Sequence, residues 1–275
     1  MRVDAHQHFW QFDPVRDNWI NEDMAAIQKD FMPQDLQPLL AENGFNGCVA
    51  VEAHQSEAQT EFLVQLANNN HFIKGVVGWV DLQSDNIAER LQHFSQYKII
   101  KGFRHVLQGE PQRDLMLSPA FVRGIAALKE FDFTYDILIF PDQLIFSKNL
   151  VAQFPEQKFV IDHLAKPHIK KKEIKEWTLD IESIAKLPNV YCKVSGMVTE
   201  ADWKGWKKDD FRPYMDVIVE NFGIDRILFG SDWPVCLVAA SYKEVVDIVQ
   251  DYFSAFSADE QQKVFGGNAV SFYNL

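Results

Sequence analysis

The sequence predicts an α/β protein, a single TIM-type (β/α)8 barrel domain over residues 1–275. Two observations carry that prediction. Eight short runs rich in β-branched and aromatic residues alternate with longer segments whose apolar residues recur three and four apart, the rhythm of repeated βα units feeding a parallel sheet. No Gly-x-Gly-x-x-Gly turn follows the first run, which argues against an open, doubly wound sheet.

The elements follow in order. A first strand run at residues 2–8 leads through a long connection to a helical segment at 33–43, which Gly44 stops. The run at 47–52 is followed by a helix at 57–70, that at 73–80 by 86–95, and that at 99–106 by 118–130, where Pro119 lies just inside the helix start. The second half repeats the pattern: 133–139 with 141–154, 158–163 with 179–187, 190–195 with 211–222, and 226–232 with 242–253. A closing helix at 258–273, broken near Gly266-Gly267, is expected to pack across the outside of the barrel.

Composition narrows the function. With 27 basic and 39 acidic residues, the formal charge of −12 repels a polyanion and argues against a nucleic-acid partner. Cys48, Cys192 and Cys236 are an odd number without a Cys-x-x-Cys pair, and each sits in an apolar run, so reduced core thiols are expected. The chain opens on Arg2-Val3-Asp4 with no apolar leader, and no apolar stretch is long enough for a bilayer. A cytoplasmic protein without a membrane partner is the expectation; homo-oligomerisation stays open.

Barrel active sites form at the carboxyl ends of strands, and these ends are rich in polar groups. They carry His6, His8, Glu52, Arg104, His105, Asp162, His163, Lys193, Ser195 and Asp232, with His54 just past the second. Alternate residues of a strand project together, so His6 and His8 converge on one point, and Asp4 faces the same way one layer deeper. Asp232 joins them only if the barrel closes first strand on last. Such nitrogen and oxygen donors suit one divalent ion, zinc or another first-row metal, with a position left for water. His163 is the natural fourth ligand, and Asp4 is expected to orient an imidazole. The bland reading of any one of these residues is a hydrogen-bonded rim group; their coincidence on strand ends argues for a site.

Five motifs carry a resemblance: Asp-Ala-His-Gln-His-Phe-Trp at 4–10, Ile-Asp-His-Leu-Ala-Lys-Pro at 161–167, Lys-Val-Ser-Gly at 193–196, Phe-Gly-Ser-Asp-Trp-Pro at 229–234 and Gly-Asn-Ala at 267–269. In this order, and from end to end, the chain resembles the amidohydrolase superfamily, and within it the sugar-acid lactonases related to 2-pyrone-4,6-dicarboxylate hydrolase. Glu52-Ala53-His54-Gln55-Ser56-Glu57 leans toward the L-fucono- and L-rhamnonolactonases. The resemblance implies a distorted barrel, opening of a small-molecule sugar lactone by water, and Asp232 as proton acceptor. The fifth run, Phe133-Thr134-Tyr135-Asp136-Ile137-Leu138, lacks the histidine of the superfamily's fuller metal pattern, so one ion is expected, not two.

For such a reaction Arg104 and His105 are the donors expected to hold the oxyanion, an arrangement worth about 3 kcal/mol per aimed donor. Glu52 and His54 are expected to meet substrate hydroxyls, unless they form a local polar network or Glu52 reaches the metal. Lys193, among apolar neighbours, needs a partner in Asp162 or Glu52, or contacts substrate. Trp10 and Trp233 follow the metal motifs directly and are the tryptophans expected to line the substrate. The connection at 197–212, with Trp203 and Trp206, is expected to form a wall or lid. Two competing readings remain: a metal-dependent decarboxylase of an unsaturated or aromatic acid on the same barrel, and a non-catalytic barrel that binds a sugar acid.

Overall fold

The computed structural model describes residues 1–275. Eight strands, β1 Val3–Gln7, β2 Gly47–Val51, β3 Ile73–Gly78, β4 Ile100–His105, β5 Thr134–Ile137, β6 Phe159–Ile161, β7 Val190–Val194 and β8 Ile227–Phe229, form one sheet in chain order. All seven neighbouring pairs are parallel. The sheet closes just past β8: Asp232 N–H donates to the His6 carbonyl (2.8 Å), and His8 N–H to that of Trp233 (2.7 Å). First and last strands therefore meet, as the shared site requires.

Helices α1 Pro33–Glu42, α2 Glu57–Asn69, α3 Ile87–Ser95, α4 Pro119–Leu128, α5 Leu144–Val151, α6 Lys175–Ile184, α7 Lys208–Phe222 and α8 Tyr242–Phe253 follow β1 to β8 in turn. Ser56, Ser118 and Ser241 start three of them by accepting the N–H of Gln59, Phe121 and Glu244. The sixth helix lies earlier than its expected 179–187, because its buried stripe begins at Trp177 and continues through Ile181 and Ile184, while Leu179 faces solvent. The strands β6 and β8 are also shorter than expected. Pairing stops at Ile161 and Phe229, which leaves His163 and Asp232 on turns beyond the ladder.

Two apolar layers result. The larger lies between strand backs and helices and contains all three cysteines, each a free thiol. The smaller fills the barrel interior with Val3, Ala5, Val49, Val51, Val77, Val160 and Leu228. The closing segment differs from its expected place. It runs as α9 Ala258–Gln262, a π-turn broken at Gly266, and α10 Asn268–Tyr273, whose Phe272 and Tyr273 join the interior cluster instead of lying across the outside. No helix is long and apolar enough to cross a membrane.

Candidate active site

The strand β1 presents its residues through an irregularity. Its register with β2 shifts between Asp4 and Gln7. Val3 and Ala5 both pack in the interior, Asp4 and Gln7 reach Tyr242 and Cys48 in the outer layer, and His6 and His8 turn inward. A bulge of this kind re-aims side chains that strict alternation would place together. Asp4 is thus corrected: its oxygens accept from Ser231 N–H (2.9 Å), His6 N–H (3.2 Å) and Tyr242 hydroxyl (3.1 Å), and no imidazole. It ties β1 to the end of β8 and to α8.

His163 and Asp232 arrive by left-handed turns, at φ 55° and 57°, a region that non-glycine residues rarely occupy away from functional sites. Two glycines make room. A Cβ on Gly196 would come 2.6 Å from His163 Nδ1, and one on Gly230 would come 2.6 Å from His6 Cβ.

Three imidazoles then face one carboxylate. Asp232 Oδ1 lies 3.5 Å from His8 Nε2, 3.8 Å from His163 Nε2 and 4.0 Å from His6 Nε2. His8 Nδ1–H donates to the Val51 carbonyl (2.9 Å), which turns its Nε2 toward Asp232. His6 is contacted at both ring nitrogens: Arg104 Nη1–H points at Nε2 (3.3 Å), while Nδ1 faces Lys193 Nζ (3.1 Å) and Asp162 Oδ1 (3.2 Å). His6 Nε2 and His8 Nε2 stand 3.2 Å apart. That separation is close to the ~3.3 Å between donors of one tetrahedral ion with ~2.0–2.1 Å bonds. Charge agrees: Arg104 and Lys193 stand against Glu52, Asp136, Asp162 and Asp232, a deficit of two positive charges. The donors that could hold a divalent ion form two overlapping groups that share His6: His6, His8 and Asp232, and His6, Asp162 and His163.

Protonation suits that role. Burial pushes His6 and His163 well below the ordinary imidazole value, so both are neutral at pH 7. Burial would raise Asp232, but His163, His8 and Lys166 outweigh it and hold the carboxyl below its usual range. The carboxylate is ionised and ready to accept a proton.

Beneath this floor lies a buried ionic network that Arg104, itself on the cleft wall, joins to the cleft. Arg104 Nε–H donates to Glu52 Oε1 (2.8 Å), Nη2–H to the Glu52 carbonyl (2.6 Å) and Nη1–H to Asp162 Oδ2 (3.1 Å). Lys193 Nζ donates to Asp136 Oδ2 (2.6 Å) and stands 3.0 Å from Asp162 Oδ1, while Tyr273 hydroxyl donates to Asp136 Oδ2 from below (2.7 Å). Lys193 thus has the Asp162 partner expected for it, but it is wholly buried and contacts no substrate. Glu52 is equally buried under Arg104 and absent from the cleft wall, which corrects its reading as a hydroxyl contact.

The cleft above has a volume of about 390 Å³, and its wall includes Trp10, His54, Arg104, His8, His163 and Asp232. His105 is not brought there. Adjacent strand residues face opposite ways, so with Arg104 inward the His105 ring turns outward, edge-on to Phe121 of α4, with Nε2 2.8 Å from Glu110 Oε1. Trp233 is likewise corrected: its ring packs against Phe9 and Phe31, away from the cleft. Trp203 and Trp206 bond the Thr199 and Ala239 carbonyls and form no wall. The sequence reading missed Arg16, Trp19, Gln55, Gln108 and Lys166, all on the cleft wall. They lie outside the strands, where no period marks a side; only Lys166 and Gln55 carry a signal, their places in the 161–167 and 52–57 motifs.

Comparison with known proteins follows the same lines. A family profile described as amidohydrolase matches residues 3–275. The chain is 37% identical to an L-fucono-1,5-lactonase of Burkholderia multivorans over 100% of its own length and 96% of the relative's. It is 34% identical to an L-fucono-1,5-lactonase of Burkholderia ambifaria, again over 100% and 96%. A crystal structure of an amidohydrolase from Burkholderia multivorans with bound zinc superposes with a TM-score of 0.95 at 37% identity, covering 100% of this chain and 99% of that one.

Proposed function

The chain belongs to the amidohydrolase family, and from that premise we propose that it hydrolyses the ring ester of a sugar lactone, L-fucono-1,5-lactone being the first candidate. The observation that carries the proposal is the ionised Asp232 carboxylate on the cleft floor, faced by three imidazoles at 3.5–4.0 Å. Full-length identity of 37% to a lactonase of that name supports the substrate class.

Asp232 takes a proton from the attacking water as its oxygen adds to the ester carbonyl carbon. The carbonyl electrons move onto oxygen, the ring C–O bond then breaks, and Asp232 returns the proton to the departing alkoxide. His8, fixed by Val51, and His163, 2.9 Å from Ser195 Oγ through Nδ1, keep their Nε2 atoms turned toward the reacting centre. Trp10 offers an aromatic wall, and His54, Gln55 and Gln108 offer polar groups for sugar hydroxyls. One divalent ion, zinc first, would be held by His6, His8 and Asp232, with His163, whose Nε2 lies 3.8 Å from Asp232 Oδ1, as the fourth ligand we propose, and when bound it would supply Lewis acidity. The buried free thiols fit a reducing, cytoplasmic setting, and the charge of −12 suits a small neutral substrate better than nucleic acid.

A proton-release assay over sugar lactones of both ring sizes and both hands, with carbon dioxide monitored in parallel, tests the proposal. Acid release without gas from an L-sugar lactone is expected. Gas from an aromatic or unsaturated acid, with no lactone opened, would favour the decarboxylase reading instead. Elemental analysis of protein purified without chelator is expected to find about one ion per chain in the wild type and much less in His8→Ala.

A further inference from the structure

Three cations line the cleft, and two are already committed. Arg104 gives its donors to Glu52, Asp162 and His6. Arg16 clasps both oxygens of Asp17 and also donates to the Gln11 carbonyl. Lys166 differs. Its Nζ has one carboxylate neighbour, Glu200 Oε1 at 3.3 Å, and lies 5.9 Å from the Phe140 ring centre, so most of its three N–H donors are uncommitted. Although lysines usually extend into water, this side chain is only 16% exposed and forms part of the cleft wall. Its charge is felt by both His163 and Asp232.

The backbone explains how it gets there. His163, Leu164, Ala165 and Lys166 hold φ of 55°, 55°, 57° and 51°, four successive residues in a conformation that is costly for side chains with a Cβ. Strain of this kind persists where the fold uses it. Here one short turn delivers both His163 and an ammonium to the same cleft.

We propose that Lys166 is a further catalytic residue, whose ammonium holds the negative charge that forms on the substrate carbonyl oxygen and remains on the product carboxylate. The inference rests on the lactone-hydrolase reading. As water adds, the carbonyl electrons move to the oxygen facing Lys166; as the ring C–O bond breaks, they return to form the acid. The proton taken by Asp232 passes to the ring oxygen, and the new acid loses its own to solvent as the aldonate forms. A preplaced cation in a site screened from water stabilises that oxyanion far better than one in bulk solvent.

The competing role is a tie between loops through Glu200. Steady-state kinetics of Lys166→Met and Lys166→Arg, with competitive inhibition by the product aldonate and by the parent pyranose, separate the two. Lys166→Met is expected to lower kcat about 100-fold. Aldonate inhibition is expected to weaken at least tenfold, pyranose inhibition to change less than twofold, and Lys166→Arg to recover part of both losses. Glu200→Gln removes the tie but keeps the ammonium, so the preference for aldonate is expected to persist. Equal losses for both inhibitors, unchanged kcat in Lys166→Met, or a Glu200→Gln that matches it would overturn the proposal. Failure of the underlying reading looks different: the wild type would open no sugar lactone. In that event, titration calorimetry with aldonate and pyranose still decides, and an anion preference independent of Lys166 overturns the inference.

Discussion

Two groups of charged side chains share one barrel and differ in what their charges meet. In the lower group Lys193, Asp136, Asp162, Glu52 and Tyr273 are sealed in, and the one cation, Lys193, is matched to the carboxylates of Asp136 and Asp162. In the upper group His8, His163, Asp232 and Lys166 border a cleft, where their spare bonding capacity is open to a ligand, whereas the unpartnered oxygens of the lower group, such as Glu52 Oε2 and Asp136 Oδ1, are sealed off. Residue type does not distinguish them. A buried charge whose partners are all protein groups holds the architecture, whereas one left open toward a cavity is available for chemistry.

The sharpest way to break this contrast is Asp232→Asn. The amide cannot accept the proton, so kcat is expected to fall 10²- to 10⁴-fold while circular dichroism and the melting temperature stay close to wild type. On a non-catalytic barrel the same variant would keep ligand affinity and alter no turnover. Near-normal turnover in Asp232→Asn would remove the upper group from the chemistry.

Lys193→Met probes the lower group. It leaves Asp136 and Asp162 buried without their shared ammonium, an error worth about 3–5 kcal/mol of stability in buried pairs. Denaturant unfolding is expected to show this loss and to show partial recovery when Asp136→Asn is added. A Lys193→Met protein that unfolds like wild type yet has lost turnover would place Lys193 in the upper group.

Asp4 belongs to neither group: it is a buried carboxylate with only neutral donors, and burial raises its pKa to about 6 against those bonds. The sign of the effect follows from the unfolded value, near 3.8. Below that pH both states are protonated. As pH rises from there toward 6, the unfolded chain releases its proton first, so stability falls through this window, by about 3 kcal/mol in full. Asp4→Asn removes the titration. Its stability difference from wild type is therefore expected to shift in its favour between pH 4 and pH 7, whatever constant the lost bonds add. Parallel urea midpoints at the two pH values would contradict this.

Much of this site was legible, and the failures have physical causes. Two-residue spacing placed His6 with His8, and closure brought Asp232 to them. The same periodicity misplaced Asp4, because the register shift beside it arises from pairing with β2 and leaves no mark in composition. His105 cannot join His6 and His8, because its neighbour Arg104 holds the inward face and a strand cannot aim both. Trp233 follows Asp232, whose left-handed backbone redirects the chain, so adjacency in sequence did not become adjacency in space. Loop residues such as Arg16 and Trp19 obey no period and were visible only in three dimensions.

The finest test lies at the base of the lower group. Tyr273 carries the closing helix to the ionic network, through its hydroxyl on Asp136 Oδ2 and its ring, 5.5 Å from Lys193 Nζ. Tyr273→Phe deletes that bond and little else, since the ring stays packed with Phe272 and Lys193 still holds Asp136. A hydrogen bond to a charged acceptor contributes about 2 kcal/mol, which for a chain of this size lowers the melting temperature by roughly 5 °C. Turnover is expected to stay within twofold of wild type, because the change is two partners removed from His6 and alters no group on the cleft wall. A large loss of kcat with the melting temperature preserved would mean that the two groups act as one, and that the base of the barrel sets the reactivity of its mouth.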